Sequence, residues 1–78
     1  MNDIEAKEVI IEIPGMNWPS WETYVNKALE ESPGVLEYNV SHMNRKAKIK
    51  FDPSQTNEET LMNHLKKRTP FREMSLKE

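Results

Sequence analysis

The chain has 78 residues, of which 36% are hydrophobic and 31% are charged, and this length allows one domain with one small core. It contains no cysteine, which excludes disulfides, a cysteine nucleophile and thiolate-bound zinc or iron–sulfur centres. Eleven Lys and Arg against thirteen Asp and Glu give a net charge of −2 with both signs interspersed, so nucleic acid is not an expected partner.

The first half of the chain predicts a strand, a helix and a second strand. Residues 8–13 alternate between apolar and mostly polar side chains and are rich in β-branched residues, which is typical of a half-buried strand. Asn17 is the predicted N-cap of a helix over residues 18–31, with Pro19 tolerated in its first turn. Residues 35–40 then predict the second strand.

The second half repeats this pattern in the order strand, helix, strand. Residues 46–51 alternate lysines with apolar residues, which predicts a strand with one wet face. Thr56 followed by Glu59 has the spacing of a capping box and opens a helix that runs to about Arg68. Phe71, Met74 and Leu76 suggest a short last strand, which completes the order βαββαβ.

In this order the chain resembles the heavy-metal-associated domain family, which includes copper chaperones, modules of metal-pumping ATPases and mercury-binding proteins. The resemblance rests on motifs in the following segments: 9–16 (VIIEIPGM), 24–29 (YVNKAL), 33–35 (PGV), 40–41 (VS), 47–53 (AKIKFDP), and Leu61 with Leu65. It implies an α+β fold, a ferredoxin-like βαββαβ sandwich with a four-stranded antiparallel sheet and two helices on one face. A single domain is expected over residues 1–78, with its core at about 7–77.

The family binds soft metal ions through two cysteines in a Gly-Met-x-Cys-x-x-Cys loop, and both cysteines are replaced here. The matching segment is residues 15–21, where the cysteine positions are Trp18 and Trp21. An indole offers one N–H donor and no lone pair for a metal. The resemblance therefore implies an ancestral role in metal binding and trafficking, whereas the residues predict no tight metal binding and no cofactor.

A partner-docking or structural role fits the residues of this loop better. Trp21 lies at the centre of the helix's apolar arc and is expected to cap the core, whereas Trp18, at the junction of loop and helix, is expected to be about half in water. The predicted contact patch, for another protein or a second copy of the chain, comprises Met16, Asn17, Trp18, Pro19, Trp21 and Phe71.

Residual binding of Cu(I) or Ag(I) through Met16 with Trp18 or Trp21 is the alternative. The resemblance favours a different role for Met16, which in the family often packs inward and positions the loop. Such a site would need a further true ligand. His42 is predicted in a turn at the opposite end of the sheet, and His64 flanks the core stripe of the second helix, so neither is expected to be a ligand.

The sequence gives little support to catalysis or to insertion in a membrane. It contains no metalloprotease motif, no nucleophile elbow and no phosphate-binding glycine loop, so no enzymatic activity is expected. No apolar run approaches the roughly 18 residues of a membrane span, and the first residues are polar and acidic rather than those of a signal peptide. A cytoplasmic domain without direct membrane insertion is expected.

Overall fold

Six elements follow one another in the predicted order in a computed structural model, which describes residues 5–77. Their bounds are β1 Lys7–Glu12, α1 Pro19–Glu30, β2 Val35–Ser41, β3 Lys46–Phe51, α2 Glu58–Arg68 and β4 Ser75–Lys77. The architecture is the predicted α+β, ferredoxin-like one. Within residues 5–77, no helix is long and apolar enough to cross a membrane.

The four strands form one antiparallel sheet in the order β2-β3-β1-β4. The two central strands pair along their whole length, from Lys7 opposite Phe51 to Glu12 opposite Lys46. On its other side β1 pairs with β4 over three positions, from Ile10 to Glu12. Because β1 and β3 are antiparallel, the end of β1 lies beside the start of β3, and this arrangement positions the loop described below.

The core forms between one face of the sheet and the two helices. The alternation of β1 and β3 turns one set of side chains inward, and the apolar stripes of α1 and α2 cover that set. His64 in α2 adds a polar link between the helices, because its Nε2 lies 2.8 Å from the Ala28 carbonyl oxygen of α1. The fully buried large side chains are Ile11, Ile13, Met16, Val25, Leu29, Ile49, Phe51, Leu61 and Leu65.

The predicted N-cap of α1 is wrong by one residue. The cap is Trp18, with extended backbone angles (φ −126°, ψ 147°) and no side-chain capping bond, and the helix begins at Pro19. The ring of a proline disfavours helical backbone angles in the residue before it. Pro19 therefore keeps residue 18 extended, and Asn17 lies outside the helix.

The capping box predicted at the start of α2 is also wrong. Asn57 is the N-cap, and its Oδ1 accepts a hydrogen bond of 2.8 Å from the Thr60 backbone N–H. Thr56 instead ends the preceding turn, where its own N–H donates to the Asp52 carbonyl oxygen at 3.1 Å and its side chain is buried. Among residues 5–77, Oγ1 of Thr56 is buried and has no hydrogen-bond partner, so it does not cap the helix.

The last strand is shorter than the sequence pattern suggests. Phe71 and Met74 are buried in the core but precede β4, which spans only Ser75–Lys77. Leu76 lies in the strand and is 40% exposed. Phe71 and Met74 are three positions apart and both point inward, which the two-residue alternation of a strand does not allow.

Candidate functional site

Residues 13–18, which join β1 to α1, form a loop fixed by its own backbone. The Met16 N–H donates to the Ile13 carbonyl oxygen at 3.0 Å, and the Asn17 N–H donates to the Gly15 carbonyl oxygen at 3.1 Å. These two short-range bonds close a tight turn immediately after the strand. The loop therefore has a conformation defined by its own backbone hydrogen bonds.

Met16 anchors this loop from below rather than presenting its thioether to a ligand. The side chain is 0% exposed and belongs to the hydrophobic core. Phe71, the other end of the predicted contact patch, is 8% exposed. Both apolar side chains are buried under the loop, as the inward role considered for Met16 requires, so neither adds exposed surface to the predicted contact patch.

Phe71 and Gly15 approach each other closely beneath the loop. A Cβ atom added at Gly15 would lie 3.2 Å from Cδ1 of Phe71, which is tighter than ordinary van der Waals contact. The lack of a side chain at residue 15 thus lets the loop backbone lie on the phenylalanine ring. This contact and the buried Met16 hold the loop against the core.

The two tryptophans have different environments. Trp18 is 64% exposed, and its neighbours Asn17 and Pro19 are exposed as well. Trp21 is partly buried and contacts the core, with its ring centroid 5.5 Å from that of Phe71 in an edge-on arrangement of 70°. The structure confirms that Trp21 caps the core while Trp18 faces solvent.

Tyr24 extends the aromatic contacts of Trp21 along α1. Its ring centroid lies 5.5 Å from that of Trp21, with an angle of 34° between the rings, and the tyrosine is 50% exposed. Trp21 therefore lies between an interior ring and a surface ring. Such pairs contribute about 0.5–1.5 kcal/mol each beyond the area they bury.

The turn between β2 and β3 lies beside this loop, so its predicted position at the opposite end of the sheet was wrong. The Ile13 N–H donates to the Arg45 carbonyl oxygen at 2.8 Å. Glu12 at the end of β1 also pairs with Lys46 at the start of β3. The antiparallel register brings His42 and Met43 to the same end of the sheet as Trp18.

His42 is held by a carboxylate that the sequence analysis did not identify. Oε2 of Glu22 in α1 accepts a hydrogen bond of 2.7 Å from the His42 backbone N–H and lies 2.6 Å from its Nδ1. The side-chain bond first, and the backbone bond second, hold the pKa of the Glu22 carboxyl below its ordinary value of 4.5. The two residues are 20 positions apart. The antiparallel pairing of β1 and β3 could have located the turn at this end of the sheet, but it does not indicate the contact with Glu22.

The residues of the loop do not fit the metal that the family's thiolates bind. Trp18 and Trp21 occupy the two cysteine positions, and neither indole has a lone pair to donate. Met16 is buried. Over residues 5–77 no group of three or more His, Cys, Asp or Glu side chains could hold a metal ion.

Comparison with known proteins identifies the fold and the family. The heavy-metal-associated domain matches residues 10–71. The structure of oxidized MerP from Ralstonia metallidurans CH34 superposes with a TM-score of 0.85 at 25% identity, covering 94% of this chain and 99% of that one. A search of curated proteins found no significant match.

Two further structures, both 22% identical, are similar in fold alone. A copper binding domain from HMA7, a P-type ATPase, has a TM-score of 0.83 and covers 91% of this chain and 93% of that one. The N-terminal soluble domains of Bacillus subtilis CopA give a TM-score of 0.78 over 91% of this chain and 48% of that one. Because the family model matches most of its length, the chain belongs to the heavy-metal-associated domain family, and it carries tryptophans at both cysteine positions.

Proposed function

We propose that this domain is a protein-docking module, rather than an enzyme or a thiolate metal carrier, and that Trp18 is its principal contact. The observation that carries the proposal is the 64% exposure of Trp18 on a loop that the backbone holds in place. Exposed tryptophans are enriched among the residues that dominate binding energy. The position it occupies is the one from which the family's first cysteine would meet a partner.

The exposed part of this indole is large enough to matter. A tryptophan buries up to roughly 150–250 Å², so the exposed fraction of Trp18 corresponds to about 100–150 Å². At about 25 cal/mol per Å², covering it contributes roughly 2.5–4 kcal/mol as an upper estimate, above the ~2 kcal/mol that marks a binding hot spot. Because the loop is already ordered, docking requires little additional loss of backbone freedom.

The expected partner is a protein with an apolar pocket for one indole. The surface next to the loop carries both Arg72 and Glu73, which line a shallow depression with Gly15, Pro70 and Phe71. This mixed charge gives no preference for a strongly charged partner, so apolar contact has to supply the affinity. Because the chain belongs to the heavy-metal-associated domain family, metal-transport proteins are the first class of partner to test.

The test compares Trp18→Ala with an exposed apolar control at the other end of the sheet. Leu36 in β2 is 45% exposed and lies near the end of β3. Wild type, Trp18→Ala and Leu36→Ala would each be titrated by calorimetry into purified soluble domains of candidate metal-transport proteins. We expect at least tenfold weaker binding for Trp18→Ala alone, and equal affinity for Trp18→Ala and wild type would refute the proposal.

A second copy of the chain is the other candidate occupant of this surface. Sedimentation equilibrium at high protein concentration would separate the two cases. A single 9.2 kDa species is expected if the occupant is a different protein. A dimer that dissociates in Trp18→Ala would overturn docking to a different protein in favour of self-association.

A further inference from the structure

The turn beside the loop carries an imidazole in an arrangement that favours metal binding. A ligating histidine commonly has its second ring nitrogen hydrogen-bonded to a carboxylate, which fixes the tautomer and makes the free nitrogen more basic. Oε2 of Glu22 lies 2.6 Å from Nδ1 of His42, and it also accepts the His42 backbone N–H. These bonds place the proton of the neutral ring on Nδ1 and leave the lone pair on Nε2.

The free nitrogen of His42 is accessible to solvent. Within residues 5–77, no protein group forms a hydrogen bond with Nε2. Among residues 5–77, Oγ1 of Thr56 is the one buried side-chain nitrogen or oxygen atom without a hydrogen-bond partner. Since Nε2 of His42 also has no partner, it is not a buried atom. The His42 side chain as a whole is 27% exposed.

Met43, the next residue, presents a thioether to solvent. Its side chain is 82% exposed, whereas Met16 is 0% exposed and Met74 is 9% exposed. Met43 therefore contributes little to the packing of the core. Met43 is adjacent to His42 in the chain, and a methionine side chain has three rotatable bonds, so its exposed thioether is the soft donor nearest in sequence to Nε2.

We propose that His42 and Met43 form a two-ligand surface site for a soft monovalent cation, Cu(I) or Ag(I), with Glu22 as the positioning residue. Imidazole and thioether are both ligands that soft ions accept, and neither carries a charge. The Glu22 carboxylate supplies the compensating negative charge from behind the ring.

This site is distinct from the family's thiolate loop and independent of the proposed docking role of Trp18. It uses residues of the β2–β3 turn, and the loop contributes none of its ligands. The site lies at the same end of the sheet as the loop because the backbone hydrogen bond from Ile13 to Arg45 joins the turn to the loop. With two neutral ligands the site favours ions that accept low coordination numbers over Zn²⁺, which is almost always four-coordinate at protein sites.

The test is a titration of the intact domain with silver nitrate in chloride-free buffer, followed by calorimetry and by NMR of the methionine methyl groups. One equivalent of Ag(I) should shift the Met43 methyl and His42 ring signals. Met43→Leu should weaken binding at least tenfold, and Glu22→Gln by about 10- to 100-fold, the range for loss of a carboxylate partner to a ligating histidine. Met62→Leu is the matched methionine control and should bind as the wild type does.

Three results would overturn the proposal. The first is no heat and no signal shift at tens of micromolar Ag(I). The second is binding that survives in Met43→Leu, a substitution at a side chain exposed enough to leave the fold unchanged. The third is a loss of affinity in Trp18→Ala with none in Met43→Leu, which would assign the cation to the indole instead. Because Trp18 contributes no ligand, failure of the Ag(I) titration leaves the docking proposal intact. Failure of the docking experiment likewise leaves the cation site intact.

Discussion

The different burial of the two tryptophans leads to a quantitative prediction about the free energy of unfolding. Trp21→Ala removes a ring that contacts Phe71 and Tyr24, each with a centroid distance of 5.5 Å. Replacing a tryptophan in a core by alanine costs about 3–5 kcal/mol, and the aromatic pairs account for about 0.5–1.5 kcal/mol each. Since Trp21 is only partly buried, we expect Trp21→Ala to lower the free energy of unfolding by about 2–4 kcal/mol.

Trp18→Ala is the matched control, because it removes the same side chain at a position that is 64% exposed. Substitutions at such positions usually change the free energy of unfolding by no more than about 0.5 kcal/mol. The pair therefore separates the effect of tertiary contacts from the effect of losing an indole as such.

The measurement is urea unfolding followed by circular dichroism at 222 nm, since each variant loses one of the two fluorescent tryptophans. With a slope of about 1 kcal/mol per molar urea for a small domain, the unfolding midpoint of Trp21→Ala should fall by about 2–4 M. Trp21→Phe, which keeps an aromatic ring, provides a milder variant if the alanine protein is unfolded in water. Equal losses at both positions, or a larger loss at Trp18, would refute the assignment of Trp21 to the core.

Three further predictions follow from particular contacts. The pKa of Glu22 is lower in the folded state than its ordinary value of 4.5, so the carboxylate stabilises the fold above pH 4.5 and this contribution is lost as the pH falls towards the folded-state pKa. In a series of urea midpoints measured at decreasing pH, the midpoint should therefore fall more steeply for wild type than for Glu22→Gln. Gly34→Ala should cost about 1–3 kcal/mol in the same urea assay, because residue 34 has φ of +87° and a Cβ atom there would lie 2.9 Å from Cγ2 of Thr56; an unchanged midpoint would contradict this. The double variant Trp18→Cys/Trp21→Cys should acquire stoichiometric Hg(II) binding, detected by the charge-transfer absorption of the thiolates; no binding by the reduced, folded variant would indicate that the loop differs from that of metal-binding relatives.

The order of the elements could be predicted from the sequence because local patterns determine it. The period-two runs of β1 and β3 and the apolar stripes of the helices are each decided by residues close together in the chain. The caps could not be predicted in this way, because several residues compete for each one. Pro19 decides the first cap through its effect on Trp18, and packing of Thr56 inward leaves the second to Asn57.

The position of the turn that carries His42 was predictable in principle. The antiparallel pairing of the two central strands requires the end of β1 and the start of β3 to meet, and Glu12 opposite Lys46 follows from this. The bond between Glu22 and His42, by contrast, depends on the rotation of α1 about its axis. That rotation is set by packing between residues far apart in sequence, which no local pattern encodes.

The replacement of both thiolates by indoles leaves the fold intact because metal is not what holds this loop together. The backbone bonds after Ile13, the buried Met16 and the contact of Gly15 with Phe71 fix the loop on the protein side. One indole then adds contacts to the core, while the other remains in solvent. Position 21 thus contributes to stability, and position 18 is left free for the docking role proposed above. Two cysteines bound to one ion would not allow this separation, since a shared ion ties both side chains to a single geometry.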